Sequence, residues 1–280
     1  MKRKDGRLMK ELGSSNKFYT YLMPKRVTSF CWTQLSVNAE GLLRFIEEKE
    51  KNGEKYTVFQ TVVAALVCTG AQFPQLNRFI YKHKIYSRNE YAISFAVSTG
   101  DETVFRKLKF EPDEPFSLIH SRIERAVEAT REEPHDNLDK SMDFLMKLPS
   151  FLASFILKMY PVLVDKGIFP KKFAEEDVLY TSAVVSNLGT FGIKAPFHHL
   201  YEWGSASVFV TIGQIEKTPV VMPDDTIQAQ RTMSIGFTLD ERIADGKTIA
   251  QALKLFSNFI ENPWLLEATP EKAVPVYAVR

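Results

Sequence analysis

The stretch that most limits what this chain can fold into runs from Thr57 to Pro74. Thr57 followed three residues later by Gln60 is a capping-box pattern, the signature of a helix start, and Val58 to Val67 behind it is apolar almost all round. A helix with no polar face has nowhere to meet water, so other elements must surround it. Pro74 stops it. Enclosing a whole helix demands a substantial domain, and 280 residues with 45% hydrophobic side chains can build one. The length suits one large domain with appendages.

The neighbouring patterns alternate between helix and strand periods. Phe79 to Tyr86 and Tyr91 to Ser98 read as strands joined around Ser87-Arg88-Asn89. In the second, Tyr91, Ile93, Phe95 and Val97 fall on one face and Ala92, Ser94, Ala96 and Ser98 on the other, so one side packs large groups and the other admits a close neighbour. Further strands are predicted at Thr28 to Leu35, Thr103 to Phe110, Val178 to Val185, Ser207 to Ile212 and Arg231 to Leu239. Helices are predicted over Asn38 to Glu50, with a stripe of Leu42, Leu43, Phe45 and Ile46, and over Phe116 to Arg131, with Leu118, Ile119, Ile123 and Val127 inward. Leu148, Leu152, Phe155, Met159 and Leu163 make the stripe of another, packed on the domain, which Pro161 kinks or ends; a turn around Gly167 and Pro170 follows. A last helix after Gly246 carries Ile249, Leu253, Phe256 and Ile260. Interleaved helices and strands, some of them hairpin neighbours, define an α/β class with a mixed sheet covered by helices.

Composition excludes several functions. The 36 basic and 34 acidic side chains leave +2, too little for a general claim on nucleic acid or anionic membrane, so neither is expected as a partner beyond a local patch. Residues 1–25, with Lys2, Arg3, Lys4, Arg7 and Lys10, form either a basic arm or the approach to the first strand; no apolar stretch follows, so they are no signal peptide, and a solvated tail is the default reading. The apolar run from Leu148 to Leu157 meets Lys158 well short of the roughly 20 residues a membrane span needs. Cys31 and Cys68 have neither a disulfide nor a metal-type spacing and read as small buried thiols, which suits a reducing, cytoplasmic location.

Three constellations carry chemistry. In Ser186-Asn187-Leu188-Gly189-Thr190-Phe191-Gly192, a strand ends in a hydroxyl and a turn with two glycines. Such a turn either aims a hydroxyl and backbone N–H groups at a developing oxyanion or simply connects strands. In Thr238-Leu239-Asp240-Glu241-Arg242-Ile243-Ala244-Asp245-Gly246, acids and a base meet just before a helix. They are site residues, or Asp245 caps the helix and Arg242 neutralises a neighbour. His198-His199-Leu200-Tyr201-Glu202-Trp203-Gly204 gathers two of five histidines. No further metal ligand stands nearby, so a packed aromatic loop is the simpler reading and no metal is expected.

The first two constellations together, in this order, resemble the acyltransferase catalytic domain of 2-oxoacid dehydrogenase complexes and, more distantly, chloramphenicol acetyltransferase. The resemblance covers most of the chain, residues 26–280. The family's Ser-Asn-Leu-Gly-x-Phe-Gly turn is matched by Ser186 to Gly192, its Asp-His-Arg-x-x-Asp-Gly by Asp240 to Gly246, and its Pro-Glu-Leu-Asn by Pro74-Gln75-Leu76-Asn77. This implies a chloramphenicol acetyltransferase-like, trimer-forming fold with active sites between subunits, coenzyme A or acyl-coenzyme A as co-substrate, and a small-molecule acyl acceptor. It implies Ser186 as oxyanion support, Asp245 in the closing pair, and the general base at position 241.

That position holds glutamate. An unperturbed glutamic acid titrates near ~4.3 against ~8.5 for a thiol, so full proton transfer costs about 6 kcal/mol, against about 3 for a histidine near ~6.5. Burial would raise Glu241 toward a useful value, whereas pairing with Arg242 would hold it low. His199, if its loop folds toward the site, is a reserve base, because such constellations are defined by geometry and not by chain order. No lipoyl domain precedes the resemblance, so a free hydroxyl, amine or thiol acceptor is expected and no covalent lipoyl group. The alternative is a relative that has lost catalysis and serves in binding or assembly, with Glu241 and Arg242 as a structural ion pair.

Overall fold

The computed structural model describes residues 3, 5–100, 102–133, 144–166, 168 and 176–268. In chain order they form β1 (Gly6–Leu8), α1 (Ser14–Leu22), β2 (Phe30–Asn38), α2 (Glu40–Lys51), α3 (Val58–Gln72), β3 (Arg78–Tyr81), β4 (Lys84–Arg88), β5 (Tyr91–Ser98), β6 (Thr103–Phe110), α4 (Phe116–Glu132), α5 (Ser150–Asp165), β7 (Ala183–Asn187), β8 (Val208–Val221), β9 (Ile227–Asp240) and α6 (Gly246–Glu261). Six strands make one sheet in the order β2-β9-β8-β7-β5-β6, and β1-β4-β3 make a smaller one. In the large sheet β7 runs parallel to both neighbours while the other pairs are antiparallel, the mixed sheet expected.

The two faces of that sheet are different environments. Ile93, Phe95, Val185, Val210, Ile235 and Phe237 point toward the helices and share one core with α2, α3, α4 and α6. Val184 and Phe209 point the other way, into a small cluster with Leu200 and Ala206. β7 is thus apolar on consecutive residues because both its faces are covered.

The enclosed helix forms as its sequence dictates. Gln60 N–H donates to Thr57 Oγ1 (3.2 Å) and Thr57 N–H to Gln60 Oε1 (2.9 Å), closing the capping box. Residues Gln60 to Gly70 are buried without interruption. Gly70 is required by contact: a Cβ there would stand 2.4 Å from the Tyr91 ring, whose hydroxyl donates to Leu66 O (3.0 Å) and ties α3 to β5.

Several expectations are corrected. Phe79 to Tyr86 is two strands, turned at Lys82 and His83, which adopt φ of 47° and 58°. The basic arm is no solvated tail: β1 pairs with β4, and Arg3 holds Asp165 of α5 at 2.6 Å. Cys31 is exposed because β2 is an edge strand. Leu118 is exposed while Ile119 and Ile123 are buried. β7 starts only at Ala183, and β8 and β9 run well past the predicted strands as a long hairpin. The α5 stripe is not packed on the domain: Leu152, Phe155 and Met159 are exposed, and Ala153 is the buried residue of the helix. Pro161 lies inside α5 and does not end it. The turn at Gly167 and Pro170 lies outside the described residues.

Candidate active site

Ser186 is the penultimate residue of β7, in register with Thr211 of β8, which pairs in turn with Gly236 of β9. Beyond Asn187 the chain leaves the sheet through a 3-10 turn, Gly189–Phe191. Its glycines answer separate demands. A Cβ at Gly189 would lie 2.5 Å from the Gly213 carbonyl oxygen, and Gly192 closes the turn at φ +72°. The turn's amides are engaged: Leu188 donates to Ile212 O (2.9 Å), Gly189 to Asn187 Oδ1 (3.2 Å), Phe191 to Leu188 O (3.0 Å) and Gly192 to Gly189 O (3.1 Å). These N–H groups are therefore not turned toward an oxyanion, and of the two readings open from the sequence the connecting turn is the one they fit. What the element offers is the half-buried Ser186 hydroxyl, which has no hydrogen-bond partner among the described residues.

Residues 193–204 cross the sheet face on that side. Thr211 Oγ1 donates to Pro196 O (2.7 Å), Gln34 Nε2 to Ala195 O (2.7 Å), and Ala195 N–H to Ser234 Oγ (2.9 Å). The histidine pair sits in this segment. The His198 carbonyl accepts from Trp32 Nε1 (3.1 Å) and from Thr238 Oγ1, and its ring lies flat on Phe209 with centroids 3.8 Å apart. Desolvation there pushes the His198 imidazole below its ordinary value. His199 is exposed and meets Tyr201 edge-on at 5.4 Å. The aromatic loop expected from the sequence is what forms.

At the last residue of β9, Asp240 is buried and receives Arg242 through two contacts, Nε to Oδ1 at 2.8 Å and Nη2 to Oδ2 at 2.7 Å. Arg242 also donates to Met23 O (2.8 Å). Arg26, equally buried, donates to the carbonyls of Tyr201, Gly204 and Ala206. This locks the turn against residues 23–29 and 201–206. Glu241 stands outside the lock: its side chain is exposed and its N–H donates to Ser29 O (2.9 Å). The Glu241–Arg242 ion pair does not form. Asp245 takes the capping role, accepting from Thr248 N–H at 2.8 Å and Thr248 Oγ1 at 3.1 Å, and that backbone hydrogen bond holds its carboxyl below the usual range.

Register sets how far apart these groups are. Gly236 and Glu241 are five residues apart along the end of β9, about 17 Å at ~3.4 Å per residue, and two strand spacings of ~4.8 Å separate β7 from β9. Ser186 and Glu241 of one chain are therefore roughly 20 Å apart. The His198 loop touches β9 at Thr238, only about 10 Å along the strand from Glu241. A positioning residue that the sequence does not reveal is Asn77, which accepts from Ser182 Oγ (2.6 Å) and donates to Glu90 O (3.1 Å), joining the end of α3 to the starts of β5 and β7. Its segment carries one of the family motifs, but the partner, more than a hundred residues away, leaves no local signal.

Comparison with known proteins places this geometry. The fold and the two turns define a chloramphenicol acetyltransferase-like domain: a dihydrolipoamide acetyltransferase structure from Listeria monocytogenes, termed probable, superposes with a TM-score of 0.60 at 19% identity, covering 91% of this chain and 94% of that one. The cubic core of the pyruvate dehydrogenase multienzyme complex gives 0.59 at 15% over 96% and 94%, and chloramphenicol acetyltransferase 0.56 at 10% over 92% and 98%. The chain belongs to the 2-oxoacid dehydrogenases acyltransferase (catalytic domain) family, whose model matches residues 25–137 and 168–268. The succinyltransferase component of the Staphylococcus aureus 2-oxoglutarate dehydrogenase complex is 23% identical over 217 residues, 77% of this chain but 42% of that protein. The chain thus spans about two fifths of the curated relatives it matches.

Proposed function

We propose that this protein transfers an acyl group from coenzyme A to a small hydroxyl, amine or thiol acceptor, at sites formed between the subunits of a homotrimer. The observation that carries this reading is the disposition of Glu241. Its neighbour Arg242 is taken up by Asp240, so the carboxylate at the family's base position is left at the surface. The Glu241–Arg242 pair of the scaffold alternative does not form, and burial of this exposed carboxylate against a neighbouring subunit would raise it toward a useful value.

In the reaction proposed, Glu241 accepts the proton of the attacking hydroxyl, amine or thiol, and the nucleophile adds to the thioester carbonyl. Ser186 Oγ–H donates to the resulting oxyanion. The intermediate collapses with departure of the coenzyme A thiolate, which takes up the proton. A neutral amine needs the least help from a weak base, so amines are the favoured acceptors. The relative solved to investigate a serine, a histidine and an asparagine in the mechanism of the Azotobacter vinelandii acetyltransferase supports the assignment: its histidine and asparagine are four positions apart, as are Glu241 and Asp245. The roughly 20 Å between Ser186 and Glu241 in one chain supports a site shared by two copies. His199 is the reserve base of this scheme, and the free thiols Cys31 and Cys68 suit a reducing cytoplasm.

Calorimetric titration with acetyl-coenzyme A, run beside the Glu241→Gln variant, tests the reading. Saturable binding near one site per chain, altered by Glu241→Gln, is expected. Folded protein that takes up no acetyl-coenzyme A would overturn it and leave a binding or assembly role.

A further inference from the structure

Helix α5 falls between the two segments matched by the family model, 25–137 and 168–268, and none of its residues enters the reaction proposed above. The domain holds it by one side. Ala153 is buried, Tyr160 stacks on Trp203 with centroids 5.0 Å apart and donates to Asp177 Oδ2 (3.0 Å), and Asp165 pairs with Arg3. Phe151, Leu152, Phe155, Ile156, Met159 and Val162 are all exposed, Phe151 at 76% and Phe155 at 63%. At the helical turn of ~100° per residue these six fall within an arc of about 140°, on the side away from Ala153 and Tyr160. A continuous apolar face of this size is not left to water without a partner.

The charges around it say which partner. Between Asp143 and Asp165 the sequence holds no Asp or Glu. Exposed Lys147 and Lys158 flank the apolar face, Lys166 follows it, and the first acid, Asp165, is neutralised by Arg3. Two copies meeting through this face would bring like charges together, whereas an anionic surface complements them. The helix is about 24 Å long at ~1.5 Å per residue, and no helix among the described residues is long and apolar enough to cross a membrane. Its phenylalanines and flanking lysines fit a helix lying in the plane of a bilayer surface. We propose that α5 is a membrane-surface anchor, seating the protein on anionic phospholipid through its outward apolar face. The near-neutral charge of the whole chain, which argues against a membrane partner, averages out this local patch.

Flotation of the full chain with phosphatidylcholine vesicles, with and without phosphatidylglycerol, tests this. Wild type is expected to float with the anionic vesicles and less with the neutral ones. Phe151→Glu combined with Phe155→Glu, both surface changes, should lower bound protein about ten-fold with an unchanged circular dichroism spectrum. Lys147→Glu with Lys158→Glu should abolish the preference for phosphatidylglycerol. Wild type that stays with the unbound fraction, or binding undiminished in the phenylalanine variant, overturns the proposal. If the phenylalanine variant instead breaks up an oligomer while wild type ignores vesicles, the face belongs to a second copy.

Discussion

Asp240 and Arg242 are 1% and 3% exposed at their side chains, so each depends on the other. Removing one leaves a buried charge uncompensated, a loss of about 3–5 kcal/mol. Arg242→Ala should lower the urea midpoint accordingly, and Asp240→Leu with Arg242→Met should recover much of it. The pairing is legible in principle. β9 ends at Asp240, and Glu241 and Arg242 lie in the turn that follows, closed by Ile243 N–H on Asp240 O (3.1 Å). An aspartate opening a turn accepts from the backbone two residues on, as Arg242 N–H does here on Asp240 Oδ1 (3.2 Å), which brings Arg242 to Asp240 and leaves the middle residue free. Lys107 supplies a pH dependence. Its Nζ donates to Asp177 O (2.8 Å) and Tyr180 O (3.3 Å), and burial pushes it down to about 8 from 10.5. Well below pH 8 it is charged in both states. Between pH 8 and 10.5 the unfolded chain holds more protons, so folding stability rises with pH, by on the order of 3 kcal/mol at most from this group. Urea titrations across that range should show the rise in wild type and a smaller one in Lys107→Met.

At the scale of elements, what is local in the sequence is readable and what depends on a distant partner is not. Helix α3 announces itself through Thr57, Gln60 and an apolar run that ends at Val67, all within the helix and its cap. The β3–β4 hairpin hides because its turn residues, Lys82 and His83, take positive φ without the glycine or asparagine that usually marks such a bend. The α5 stripe reads as apolar, but periodicity identifies a face and not what covers it. The seating of α3 is likewise invisible locally, because the limit at Gly70 comes from Tyr91. Gly70→Ala would drive a methyl to 2.4 Å from that ring, and the helix or the tyrosine must move. The expected cost is about 1–3 kcal/mol, read as a lower thermal midpoint. Gly53→Ala is the useful comparison: a Cβ there meets nothing within 4 Å, but the residue sits at φ +82°, so its loss of stability reports backbone strain with no clash. Gly70→Ala alone should be relieved by trimming the ring with Tyr91→Leu, and a Gly70→Ala midpoint equal to wild type would mean that α3 is not pinned by this contact.

At the scale of the whole molecule, the turns that carry Ser186 and Glu241 are both visible in the sequence, but their separation is not, because it depends on the register of β7 against β8 and β9. That separation makes a prediction no single chain can satisfy. If each site takes Ser186 from one subunit and Glu241 from the next, then Ser186→Ala and Glu241→Gln chains are each inactive alone yet complementary together. In a randomly mixed trimer an interface is intact only when a chain with a good serine faces one with a good glutamate, which happens at about one interface in four. Co-refolding the two variants in equal amounts should therefore restore roughly a quarter of wild-type transfer of the acetyl group from acetyl-coenzyme A. Wild-type activity with no recovery in the mixture would mean that both groups act within one chain, and the roughly 20 Å between them would then have to close by a rearrangement of β9 that its long pairing with β8, from Val208–Leu239 to Val221–Ile227, opposes.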